Sequence, residues 1–304
     1  MPTYAVEALD DVAIAPGSPV DGMDLMSPFV WREGGRYRIL VRGVPNPLGP
    51  QDPTGLIASG WSDDGLTFTL DDRIAIAPGT DPGDPDAGGC EDPTVLRTAD
   101  GTYVVYYTGV DARRTQGVMI AATGPSLDRL TKRRVVLAAP EGEGNIKEAT
   151  FAPTPQGDWR LFYEYAAAEE EGVGASRVGI AAAATLGDRW TSLADPFPIR
   201  PKSWDNWHLS TGPICQIPGA DPVMFYNGAT LDARWRIGWI SFSPDFTTVT
   251  GRGIEPVILP PPPEDRSKTD IAFAASTIIE NDLISLYFSI EDRILRRARI
   301  RYYA

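Results

Sequence analysis

Acidic residues set beside tight turns are the part of this sequence whose types and spacing can do chemistry. The string GGCEDP, residues 88 to 93, puts a glycine pair before two adjacent acids, and Pro93 fixes the entry into an apolar run. Glu164 in LFYEY follows an alternating aromatic stretch, a crowded place where a carboxyl has a raised pKa unless a cation is near. Lys147 and Glu148 in GNIKEATF form a third cluster. Paired carboxyls are the usual means of breaking a glycosidic bond, one protonating the leaving oxygen and the other activating the nucleophile. Each string also has a structural reading: a turn and strand cap, a solvated strand end, an internal ion pair.

Other chemistries lack their anchors. With a single histidine, His208, there is no HExxH zinc site or multi-histidine metal centre, and at most one Ser/His/Asp arrangement. GxSxG, GxxxxGK[ST], GxGxxG and CxxC do not occur, so no metal and no cofactor is expected. His208, in WDNWHLSTGP, is expected to be a packing or hydrogen-bonding residue. Trp204 and Trp207 could stack on a sugar, though wedging between sheets is the commoner use. Cys90 and Cys215 are read as free thiols. The net charge of −13 repels nucleic acid and anionic membrane surfaces, which leaves a neutral small molecule such as an oligosaccharide as the fitting partner. No apolar run approaches the ~18 residues of a membrane span. MPTYAVEALDDVAIAP has neither a basic start nor a continuous apolar stretch, so a cytoplasmic location is the default expectation.

The elements that must position these acids come from a repeat. Five segments share one grammar of apolar strand, turn, and second strand rich in aromatic and β-branched residues. They are SPFVWREGGRYRILVR from Ser27, DPTVLRTADGTYVVYYT from Asp92, EATFAPTPQGDWRLFYE from Glu148, TGPICQIPGADPVMFYN from Thr211 and STIIENDLISLYFSIED from Ser276. A third strand with small residues follows in GLIASGWS, GVMIAATG, RVGIAAAA and RIGWISFS. Helical periodicity is nearly absent. A period near 60, the spacing of these starts, with three or four strands per unit predicts an all-β chain, residues 1–304 forming a single five-bladed β-propeller. In an antiparallel hairpin the start of one strand and the end of the next share an edge. The pairs Ser27/Arg42, Asp92/Thr108, Glu148/Glu164, Thr211/Asn227 and Ser276/Asp292 should therefore gather on one rim, and three of the five carry carboxylates.

At these strings the chain resembles glycoside hydrolase family 130, the β-mannoside phosphorylases and β-mannosidases, which are five-bladed propellers. GCEDPTVLRTADGTYVVYYTGVD looks like the family's most recognisable segment; SPFVWREGGRYRILVRG, NIKEATFAP, TGPICQIPGADPVMFYNGA with RWRIGW, and LISLYFSIEDRIL extend the likeness. The resemblance implies Asp92 as general acid, able to deliver its proton through a hydroxyl of the bound mannose. It implies Ser27, Arg42 and Asp292 as residues that hold the sugar. It also retains Lys147 from the family's phosphate-binding set. The chain departs from that set at Glu164, where an arginine is expected, and at Asn227, where FYNG replaces a YHG string.

A glutamate in place of a cation repels phosphate and can instead deprotonate water. The favoured expectation is an inverting β-mannoside hydrolase with Asp92 as acid, Glu164 as base and Glu148 as reserve base. Ser27, Arg42, Lys147, Asn227 and Asp292 are its expected substrate-binding residues. Three alternatives stay open. One is a phosphorylase drawing a further cation from Arg134 or Arg236. Another is an arabinanase-like furanosidase using Asp24, and the third is a non-catalytic carbohydrate-binding propeller.

Overall fold

Glycine pairs and short polar turns fold the repeated segments back on themselves. Between the strands Asp24–Glu33 and Arg36–Val44, Gly34 and Gly35 have φ of 57° and 83°. These are the values of the mirror-image two-residue turn whose twist matches a hairpin. The computed structural model describes residues 2–139, 144–170, 173–265, 269–280 and 283–304. Asn281 and Asp282, in the fifth repeated segment, fall outside that set.

All regular structure among the described residues is β apart from two short 3-10 turns, Leu127–Arg129 and Pro263–Asp265. No helix among them is long and apolar enough to cross a membrane. The sheets are almost wholly antiparallel and follow the repeat. The first runs Asp24–Glu33, Arg36–Val44, Leu56–Ser62, Thr67–Ile76 from its inner to its outer edge, with Ala13–Ile14 added in parallel at the outside. The second runs Gly89–Arg97, Tyr103–Val110, Gly117–Gly124, Thr131–Leu137. The third is Ile146–Pro153, Trp159–Glu170, Val173–Ala183 and Thr191–Ser192.

The fourth hairpin is interrupted. His208–Ser210 pairs with Asn227–Ala229, and Ile214–Cys215 pairs with Val223–Met224, so the two halves count as separate small sheets. The fifth is Ala272–Glu280, Leu283–Ile290 and Ile294–Tyr303, completed at its outer edge by the N-terminal strand Thr3–Asp11 in the register Thr3↔Tyr303. Fourth strands were within the expected three or four per unit, but that outer partner was not among the sequence expectations.

Alternation along the middle strands shows how the sheets stack. Tyr103–Val110 and Leu283–Ile290 are buried on both faces, which requires a neighbouring sheet on each side. Val105 and Tyr107 enter a core with Leu40 and Ile57 of the first sheet, while Val104 and Tyr106 enter another with Leu161 and Tyr163 of the third. One such core fills each junction between consecutive sheets, including the one joining fifth to first through Ile278, Tyr287, Val30 and Ile39. A small residue in the third strand leaves room for its outer neighbour in the same sheet: a Cβ on Gly60 would meet the paired Leu70 at 2.6 Å. The innermost strands touch in a closed cycle, Asp24–Glu33 to Gly89–Arg97 to Ile146–Pro153 to Ile214–Cys215 to Ala272–Glu280 and back. A cavity of about 280 Å³ at the centre of that cycle is lined from all five, by Phe29, Thr94, Thr150, Ile214 and Ser276 among others.

Candidate active site

Ser27, Asp92 and Glu148 stand on the same inner strands, two residues before Phe29, Thr94 and Thr150 of the central cavity. A bulge puts them there. The ladders pair Met26↔Arg42, Glu91↔Thr108 and Lys147↔Glu164, then shift register, leaving Ser27, Asp92 and Glu148 as extra residues. All three have left-handed φ, 51°, 50° and 55°. Non-glycine residues hold that conformation only where surrounding structure enforces it, and such strain collects at functional sites. The expected pairs Ser27/Arg42, Asp92/Thr108 and Glu148/Glu164 are thus one residue out of register, because each bulge inserts a residue just after the paired one; Ser276 faces Tyr287 instead of pairing with Asp292.

Around these bulges the side chains converge. The Ser27 hydroxyl donates to Asp92 Oδ1 at 2.8 Å. Arg42 forks, Nη1 to Asp92 Oδ1 at 3.2 Å and Nη2 to Glu91 Oε1 at 2.7 Å, while the Thr54 carbonyl accepts from its Nε and Nη2. Lys147 Nζ reaches across from the third sheet to Glu91 Oε2 at 3.1 Å. Glu91 and Asp92 are buried, at 3% and 6% exposure. Asp292 lies in the turn after the fifth sheet's middle strand, not on the strand itself, at φ 52°. Its charge acts on Arg42 from there. Among the expected residues, Ser27, Arg42, Asp92, Lys147, Glu148, Glu164 and Asp292 form one cluster.

Carboxyls outnumber cations in it, and the pKa shifts follow. Burial works to raise Glu91, but Arg42 and Lys147 outweigh it and hold the group below the usual carboxylate range. Burial drives Glu164 up to about 7, with Asp92 and Glu91 adding to the rise against the pull of Ser210 and Lys147. The Ser210 hydroxyl is buried and makes no hydrogen bond of good geometry, yet it lies close enough to Glu164 to lower it. Burial, then the charges of Asp92 and Glu164, push Glu148 well above its ordinary value. A carboxyl raised in this way holds its proton more tightly than an ordinary glutamate. Burial opposes charge on Arg42 and Lys147, but the surrounding carboxylates keep both raised.

Other expectations resolve differently. Asn227 is fully buried, its Nδ2 donating to the carbonyls of Thr211 and Ala274 and its Oδ1 accepting from Ala274 N at 2.8 Å. It clamps the fourth sheet to the fifth, so its amide is spent on backbone rather than presented to a sugar. Ser276 likewise bridges fifth and first sheets, donating to Pro28 O and accepting from Val30 N. Arg134 lies on an outer strand and donates to the carbonyls of Gly187 and Asp188, and Arg236 donates to those of Trp204 and Arg234. Neither is in the cluster. Asp24 accepts from Asn46 Nδ2 at 3.0 Å. Trp204 stacks on Tyr226 at 5.5 Å and packs, partly buried, against the core shared by the third and fourth sheets, and His208 packs on Trp235 at 5.5 Å. Cys90 and Cys215 are buried free thiols.

Glu91 was missed as a site residue; the signal was the first acid of the EDP string, but its cations come from other sheets. Among the described residues no group of three or more His, Cys, Asp or Glu side chains is arranged to hold a metal ion.

No family model and no curated protein matches the sequence. Solved structures do. The β-1,2-mannobiose phosphorylase of Listeria innocua, in complex with β-1,2-mannobiose, matches with a TM-score of 0.73 at 18% identity, over 92% of this chain and 91% of that one. A structure from work on the GH130 mannoside phosphorylases, a family described there as containing glycoside hydrolases that target β-1,2 mannosidic linkages in Candida mannan, gives 0.74 at 19% identity, over 97% and 94%. A glycosyl hydrolase from Bacteroides ovatus gives 0.74 at 21%, over 91% and 84%. The chain therefore shares its fold with structures of glycoside hydrolase family 130 over more than nine-tenths of its length.

Proposed function

We propose that the chain is one five-bladed β-propeller domain and an enzyme of the family 130 kind, hydrolysing β-mannosides with inversion. The closed cycle of inner strands and the five inter-sheet cores support the propeller reading. Asp92 is the general acid, held by Ser27 and Arg42, and Glu148 beside it stores the proton that resupplies it. Glu164, with a pKa of about 7, is the base that deprotonates water on the opposite face of the sugar. Ser27, Arg42, Lys147 and Asp292 hold the substrate.

The observation that carries hydrolysis over phosphorolysis is that both cations of the cluster are already engaged. Arg42 is on Glu91 and Asp92, and Lys147 is on Glu91. A phosphate with nearly two negative charges would enter a site whose carboxyls already exceed its cations. Incubation with β-1,2-mannobiose, with and without inorganic phosphate, decides the matter. Hydrolysis releases mannose alone at a rate indifferent to phosphate, whereas accumulation of mannose 1-phosphate would establish the phosphorylase instead.

A further inference from the structure

Resting on the proposed roles of Asp92 and Glu164, we propose that Glu91 is a positioning residue that divides the site's two cations, fixing Arg42 against Asp92 and drawing Lys147 across to the second sheet. Lys147 and Glu164 face each other in the third sheet's ladder. Directly opposed residues of an antiparallel pair have Cβ atoms only about 4.5–5.5 Å apart, so Glu164 is a carboxyl within the lysine's reach on its own sheet. The ammonium nevertheless sits on Glu91 Oε2 at 3.1 Å. The other oxygen of the same carboxylate takes Arg42 Nη2 at 2.7 Å, which leaves Nη1 for Asp92. One buried carboxylate thus sets where both positive charges lie.

The groups facing Glu164 come from several sheets: Lys147 and Glu148 from its own hairpin, Glu91 and Asp92 from the second sheet, and Ser210 from the fourth. Arg42 of the first sheet is coupled to Glu91, Asp92 and Glu148, and Asp292 of the fifth acts on Arg42. Loss of the Glu91 charge removes one repulsion from Glu164 and releases Lys147 toward it. Both effects favour the ionised base. A residue that merely filled space would lower turnover without moving its pH range.

The test is the pH profile of kcat/KM, whose acid limb reports the base in the free enzyme. Glu91→Gln is expected to move that limb downward from about 7, by on the order of one pH unit. Glu91→Asp retains the charge and protects folding; its shorter reach draws it off Lys147 and gives a smaller shift the same way. Lys147→Met, which removes the cation itself, moves the limb upward. In parallel, the Glu164 carboxyl is titrated by carbon-13 NMR of glutamate-labelled protein, its signal assigned by its loss in Glu164→Gln. If the NMR titration moves while the kinetic limb stays, Glu91 positions the cations as proposed and the assignment of Glu164 as base fails. If the NMR titration is unmoved in folded Glu91→Gln and in Glu91→Asp, the positioning role is overturned.

Discussion

Replacing Glu164 by Gln should stabilise the protein above neutrality and do nothing for it in acid. The wild-type carboxyl titrates at about 7 in the folded chain against an ordinary 4.5. Each unit of difference corresponds to about 1.4 kcal/mol, so the full shift is worth about 3 kcal/mol. The side chain keeps partial contact with solvent, and screening brings the expected figure to about 1–2 kcal/mol. The folded state retains a proton that the unfolded state releases. Stability is therefore lost as pH rises from 4.5 to about 7, and the whole cost is present above that window.

Gln cannot ionise and escapes the cost. Thermal unfolding of both proteins should give a Tm higher by about 2–5 °C for the variant at pH ~8 and an unchanged Tm at pH ~4.5. A difference of equal size at both pH values, or a less stable variant at pH ~8, would refute the account of a buried carboxyl strained by its neighbours.

Asp92→Asn is expected to lose about 10²–10⁴-fold in kcat on natural mannosides and far less on aryl mannosides with good leaving groups; equal losses on both would remove its assignment as acid. Asn227→Leu, which takes away the amide bonded to Thr211 and Ala274, should lower unfolding stability by about 2–4 kcal/mol in a denaturant titration. Unchanged stability with weakened mannoside binding would return Asn227 to the substrate side of the site.

The hairpins were legible because their turns and patterns are local. GG, ADG and QG mark the bends, and strings such as YVVYYT can only be strands. Ring order followed from repetition alone. The site was legible in kind but not in detail. Spacing found the ends of the strands, but the bulges at Ser27, Asp92 and Glu148 put non-glycine residues in left-handed backbone, and no residue type announces that. Asp292 was placed on a strand by counting, whereas the strand ends at Ile290 and a turn carries it inward. Glu91 reads as a neighbour of Asp92; its meaning lies in Arg42 and Lys147, 49 and 56 positions away. Asn227 was assigned by family position, and only the fifth sheet's backbone reveals its use. TYAVEALDD alternates as a strand should, yet nothing in it names Ile294–Tyr303 as its partner.

That last pairing makes the fifth sheet a buckle. Thr3–Asp11 lies against the final strand with side chains linked as well, Arg297 to Asp10 and Arg301 to Glu7. The other sheets take each main hairpin from a short stretch of chain and can zip as they emerge from synthesis, whereas this one joins segments from opposite ends of the sequence. Closing so long a loop has an entropic cost that grows only slowly with length, but it delays the event that satisfies the edge strand. Until then Ile294–Tyr303 presents an unpaired edge, the kind that invites a second chain to supply the missing strand. The alternating arginines of that strand, Arg297, Arg299 and Arg301, are a charged guard against such exchange during the wait.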